Sequence, residues 1–264
     1  MLDRLRNALQ DIRDERRTGV APYVTIGLPT VEETLAIVPA IEAAGADAIE
    51  LGVPYSDPLA EGPTIQAASY RALSGGVDTR VCLDTARRLR ENGVRLPLLF
   101  MGYYNPIFSY GVDAYARDCA DAGVDALIVP DLPTEEADSL RDALRRRGLG
   151  LVGFVAPTSP DARIELSVRQ ADGFVYCVSV AGVTGARSDL PPDLAEFIGR
   201  VRTRTDLPIG VGFGIAERRH VETVGAVADI ALVGSALINV IDSAPPGEAA
   251  SRAGAFVAGL TAKA

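Results

Sequence analysis

Lysine and histidine are almost missing from this chain: Lys263 is the only lysine, second from the end, and His220 is the only histidine. An imine mechanism needs a lysine held in a pocket, so Schiff-base aldolases and pyridoxal-phosphate enzymes of the usual kind are excluded. One imidazole cannot build a His-rich zinc or iron site, nor a sugar-phosphate isomerase site that pairs a lysine with a histidine. His220 falls within AERRHVETV, which reads as a surface helix with its imidazole solvated. Cys82, Cys119 and Cys177 are odd in number and lack metal spacing, so they read as packed thiols in a reduced, cytoplasmic setting. No apolar run reaches the roughly 18 residues of a membrane span. The N-terminal MLDRLRNALQDIRDERR is charged and amphipathic rather than a signal peptide. A net charge of −9 argues against nucleic-acid or anionic-membrane partners. Proton transfer is left to carboxylates, tyrosines or a cysteine, without metal or cofactor.

What is present is a rhythm of short apolar runs, each followed by a segment of helical periodicity, as in parallel βαβ units. Eight runs are expected as strands: 22–27, 47–53, 96–103, 125–131, 150–156, 173–180, 208–214 and 229–234. Between them lie helical segments such as TVEETLAIVPAIEAAG, where Thr30 and Glu33 form a capping box and Gly45 ends the helix. No linker divides residues 1–264, so one α/β domain is expected, a (β/α)8 TIM barrel with an extra N-terminal helix covering its N-terminal end. The alternative is an open doubly wound sheet, but no GxGxxG follows the first strand.

In a barrel, chemistry sits at the C-terminal ends of the strands. Glu50 lies there in the otherwise apolar run AIELGV, and a carboxylate in such a place is costly unless it works. Tyr103 and Asp131 end the third and fourth strands, and Tyr176 lies within the sixth. The connections at 54–62 and 181–192 exceed the usual length of βα loops. The first carries Asp57 and Glu61 between Pro54, Pro58 and Pro63. Glycine-rich turns at GVTG (182–185), GFG (212–214) and GS (234–235) run toward helix starts, where unpaired N–H groups favour an anion. Together they read as a phosphate site.

The motifs ELGVPYSDPLAEGPTIQ, YVTIGLPT, GYYNPIF, VPDLPTEE, SVAGVTGAR, VGFGI and VGSALI, in that spatial logic, resemble the alpha subunit of tryptophan synthase over roughly residues 15–243. The resemblance implies retro-aldol cleavage of indole-3-glycerol phosphate to indole and glyceraldehyde 3-phosphate, with indole passed to a beta subunit in an α2β2 complex. It implies Glu50 as the acid–base group and Glu61 as the loop acid that accepts the indole N–H. Tyr23, Tyr103, Tyr176 and Thr184 match substrate-facing positions. Gly185, Phe213, Gly214, Gly234 and Ser235 match the phosphate site. Pro54, Asp57, Asn105, Pro106, Asp131 and Pro133 match beta-facing positions. One departure stands out: Glu61 replaces the family's usual aspartate, so the loop reads LAEGP where LADGP is the rule. It leaves open two alternatives, a stand-alone lyase releasing free indole and a weakly active or regulatory alpha-like subunit. A phosphosugar isomerase is a further one.

Overall fold

The computed structural model describes residues 1–178, 193–212 and 214–261. Among the described residues nine short parallel strands are present: β1 (Gly19–Thr25), β2 (Ile49–Gly52), β3 (Leu98–Met101), β4 (Ala126–Ile128), β5 (Gly150–Leu151), β6 (Gly153–Val155), β7 (Val175–Val178), β8 (Ile209–Gly212) and β9 (Ile230–Val233). They pair in the order β5-β4-β3-β2-β1-β9-β8-β7-β6. The two ends of that order are consecutive in the chain. Val152, between them, donates its N–H to Leu127 of β4 at 2.9 Å, and Gly153 donates to Phe174 at 3.4 Å. The sheet therefore closes on itself as a TIM barrel, as expected, with the fifth expected strand divided in two. Helices lie between the strands and pack outside, because buried strands of this kind need both faces covered.

The helix Leu2–Asp14 closes the barrel's N-terminal end. Its buried residues Leu2, Leu5, Leu9 and Ile12 share one face. Glycines make room for them: a Cβ on Gly19 would lie 2.4 Å from Ile12 Cδ1, and one on Gly173 would lie 2.7 Å from Leu5 Cδ2.

Four aspartates repeat one device at this end. Each stands just ahead of a strand and accepts the main-chain N–H of the neighbouring one. Asp47 takes Val20 at 2.8 Å, Asp125 takes Leu98 at 2.9 Å, Asp172 takes Leu151 at 3.3 Å and Asp229 takes Ile209 at 2.7 Å. Arginines neutralise them: Arg17, Arg90, Arg145 and Arg202 in turn. Arg4 and Arg13 of the first helix add to Asp125 and Asp229. The covering helix is thus held by apolar burial and by two ion pairs. This pattern was not anticipated from the sequence.

Helix starts follow local chemistry. Thr30 accepts the Glu33 N–H at 3.1 Å, as the capping box requires, and Gly45 adopts φ 90° past the helix end. The connection after β2 carries two helices, Pro63–Ser74 and Thr79–Glu91. The first has proline at its opening position, where a missing N–H costs nothing. Cys82, Cys119 and Cys177 are free and buried. No helix among the described residues is long and apolar enough to cross a membrane.

Candidate active site

A cleft, open at its mouth, lies at the C-terminal ends of the strands. Tyr23, Glu50, Glu61, Phe154 and Tyr176 line it, together with Gly212, Gly214, Gly234 and Ser235.

Strand register assembles the inner wall. Tyr23 of β1 is the register partner of Glu50 in β2, and Phe154 of β6 is that of Tyr176 in β7. Same-register side chains point to the same face of a sheet, here the barrel interior. The Phe154 and Tyr176 rings meet with centroids 5.1 Å apart. Gly52 is what lets Tyr23 fit, since a Cβ there would lie 2.0 Å from the phenol oxygen.

Glu50 is 2% exposed, and its Oε1 has no hydrogen-bond partner among the described residues. Burial, and then the nearby charge of Glu61, push its pKa up to about 8. Glu61 is half-buried in the loop after β2, and burial raises it to about 7. Near neutral pH the pair can therefore hold one proton between them, on Glu50 in preference. Tyr23, Tyr103 and Tyr176 are all driven upward, first by burial, so they stay neutral phenols.

The loop that carries Glu61 is held at several points. Glu61 N–H donates to Pro58 at 3.0 Å, and the Gln66 amide donates to the Glu61 carbonyl at 2.8 Å. Tyr103 accepts the Ala60 N–H on its hydroxyl at 3.0 Å, and its ring stacks on Tyr55 with centroids 5.1 Å apart. Tyr103 acts on the loop; it is not among the residues lining the cleft.

Also lining the cleft, Gly234 is the N-cap of the helix Ser235–Asp242. The first N–H groups of a helix have no intrahelical partner, and the helix dipole adds partial positive charge there. Gly214 reaches the same region with φ 62°, a conformation that favours glycine. No lysine or arginine is among the lining residues described. Thr184, Gly185 and Phe213 lie outside the described residues. No metal-binding group of side chains occurs among the described residues.

Of the residues expected to face a partner, Asp57, Asn105, Asp131 and Pro133 are exposed, Pro106 is half-buried and Pro54 is buried. Asp131 accepts the Tyr104 N–H at 2.9 Å and so ties two of these loops together. Leu59 and Phe108, on the same loops, are 90% and 66% exposed. His220 departs from its expected setting: it is 6% exposed, because the helix Arg218–Gly225 turns it inward with Val221 and Val224. Met101, Ile65, Phe154 and Leu232 line the cleft without having been singled out; only their apolar type marked them.

A family model described as tryptophan synthase alpha chain matches residues 9–260. The chain belongs to the tryptophan synthase alpha chain family. A tryptophan synthase alpha chain from Roseiflexus sp. (strain RS-1) is 52% identical over 259 residues, covering 98% of this chain and 99% of that one. A Saccharomyces cerevisiae protein named tryptophan synthase is 41% identical over 98% of this chain, which spans 37% of that longer protein. A structure of Mycobacterium tuberculosis tryptophan synthase superposes with a TM-score of 0.88 at 38% identity, covering 97% of this chain and 96% of that one. A tryptophan synthase subunit alpha from Legionella pneumophila gives 0.89 at 34% identity, with the same two coverages. As a member of the tryptophan synthase alpha family, the chain is a lyase of tryptophan biosynthesis, and the family's reaction is cleavage of indole-3-glycerol phosphate.

Proposed function

We propose that the cleft binds indole-3-glycerol phosphate with the indolyl ring between Glu50 and Glu61 and the phosphate against Gly214, Gly234 and Ser235. Thr184, Gly185 and Phe213 complete this assignment from the sequence. The observation that carries the reading is Glu50: a buried carboxyl with an unpartnered oxygen in the cleft and a proton held to about pH 8.

The bond to be broken joins indole C3 to the glycerol chain. Protonated Glu50 gives its proton to C3, and the ring becomes an indoleninium cation. Glu61, as carboxylate, accepts the ring N–H and opposes the positive charge that spreads to nitrogen. The glycerol hydroxyl next to the bond then loses its proton to the Glu50 carboxylate. Its electron pair forms the aldehyde carbonyl as the carbon–carbon bond breaks, and that bond's electrons return to the ring. Indole and glyceraldehyde 3-phosphate result, with Glu50 protonated again. Tyr23, Phe154 and Tyr176 pack the ring and exclude water, which strengthens both carboxyl contacts.

The partner in this reading is a tryptophan synthase beta subunit, in an α2β2 assembly in the cytoplasm. Asp57, Asn105, Pro106, Asp131 and Pro133, with exposed Leu59 and Phe108, form the proposed contact face, from which Pro54 is left out because it is buried. Indole release, measured with and without added beta subunit, tests the whole reading. Wild type should be stimulated by the partner, and Glu50→Gln should lose on the order of 10²- to 10⁴-fold in turnover. Equal rates for wild type and Glu50→Gln would refute it.

A further inference from the structure

His220 is a buried histidine that the proposed chemistry does not use, yet it holds a segment that the chemistry needs. Its Nδ1 accepts the Ala216 N–H at 3.2 Å. The helix Arg218–Gly225 has Glu217 as N-cap, so His220 is its third residue and Ala216 lies one residue ahead of the cap. In a capping box a glutamate or glutamine at this third position reaches back to a main-chain N–H at the helix start. Here an imidazole does so, one residue farther out. Accepting at Nδ1 leaves the ring proton of the neutral form on Nε2. That atom is buried without a partner among the described residues. Leaving a buried donor unpaired is costly, so this arrangement is not what stability alone would select.

Ala216 ends the short span that leaves the sheet at the cleft. Gly212 is fixed in the barrel by pairing with Val178 and Leu232, Gly214 lines the cleft, and Ile215 is 1% exposed. Only Ile215 separates Gly214 from Ala216, a reach of at most about 7 Å of extended chain. With Ile215 buried and Ala216 tied to His220, that segment has little freedom to shift. Gly234 and Ser235, at the end of the adjacent strand β9, have no side-chain cation among the described lining residues to compensate for a misplaced amide.

We propose that His220 is a positioning residue that sets the affinity of the cleft for the phosphate group by anchoring the turn through Gly214. This rests on the phosphate assignment made above.

The test compares His220→Asn, which keeps an acceptor at the δ position, with His220→Leu, which removes it; His220→Ala replaces the leucine variant if that one does not fold. Steady-state cleavage gives kcat and KM, and competition gives Ki for inorganic phosphate and, separately, for indole. Losing the acceptor should raise KM and the phosphate Ki about tenfold, leave kcat and the indole Ki within about twofold, and be largely rescued by asparagine. The inference falls if the phosphate Ki does not move, if asparagine behaves like leucine, or if phosphate and indole weaken together, as a merely structural role would have it. If phosphate does not compete with substrate in wild type, the phosphate assignment itself falls. If it competes there and ignores His220, only this inference does.

Discussion

Glu61 stands near enough to Glu50 for its negative charge to raise the pKa of Glu50 beyond what burial alone achieves. The two groups therefore titrate as a pair. In the proposed mechanism Glu61 works ionised and Glu50 works protonated. The pH profile of kcat/KM should rise through about 7 and fall through about 8, leaving a narrow bell. Glu61→Gln removes the charge that lifts Glu50, so the descending limb of whatever activity remains should move to lower pH. A limb that stays in place would show the two carboxyls to be uncoupled.

The same raised pKa has a stability sign. Glu50 keeps its proton more tightly in the folded protein than in the unfolded chain, so its contribution is present below about pH 4.5 and is lost as pH rises through about 8. Glu50→Gln cannot ionise. Thermal melts should show the variant gaining several degrees relative to wild type at pH 9, and little or nothing at pH 4.

Loop geometry decides how Glu61→Asp behaves. The loop backbone is fixed by Pro58, Gln66 and Tyr103, so an aspartate would retract its carboxylate by about 1.5 Å, and displacement on this scale can cost on the order of 100-fold in rate. Indole release by the aspartate variant should fall by at least about tenfold. A rise instead would mean that the loop is a poor fit for the residue it carries.

Tyr103→Phe keeps the ring that stacks on Tyr55 and removes only the hydroxyl that accepts the Ala60 N–H. Such a bond is worth about 1 kcal/mol, so kcat/KM should drop about five- to tenfold with the fold intact. Circular dichroism and indole-release kinetics on the same preparation check both halves.

Asp125 bears on stability alone. It is fully buried and serves Arg4, Arg90 and the Leu98 N–H together. Asp125→Ala strands two guanidinium groups and a main-chain donor, which should cost about 3–5 kcal/mol in urea unfolding. Arg4→Ala, at a half-exposed partner, should cost far less.

The barrel was legible because buried strands and amphipathic helices alternate with different periods. Glu50 stood out because a charge inside AIELGV is costly unless it is paired or at work, and the structure shows it buried with an unpartnered oxygen among the described residues. The division of the fifth strand at Val152 was not, since GLVGFVA is an unbroken apolar run and only the pairing of its two ends with different neighbours separates them. Histidine in AERRHVETV was misplaced because one imidazole among charges gives no indication of which helix face turns inward. The aspartates of AGADAIE, AGVDALI, QADGFV and VADIALV did leave a repeated trace, an acid one to three residues ahead of a strand. Their arginines sit 27 to 35 residues away or farther, in most cases on another element, and only folding brings them together.

On the phosphate assignment proposed above, the described walls of the cleft offer an arriving dianion two acids and no cation. Each arriving phosphate adds negative potential that Glu50 and Glu61 can relieve only by taking protons from solution. Ligand capture and loading of the acid then become one linked event, visible in calorimetry as a binding heat that changes with the ionisation enthalpy of the buffer.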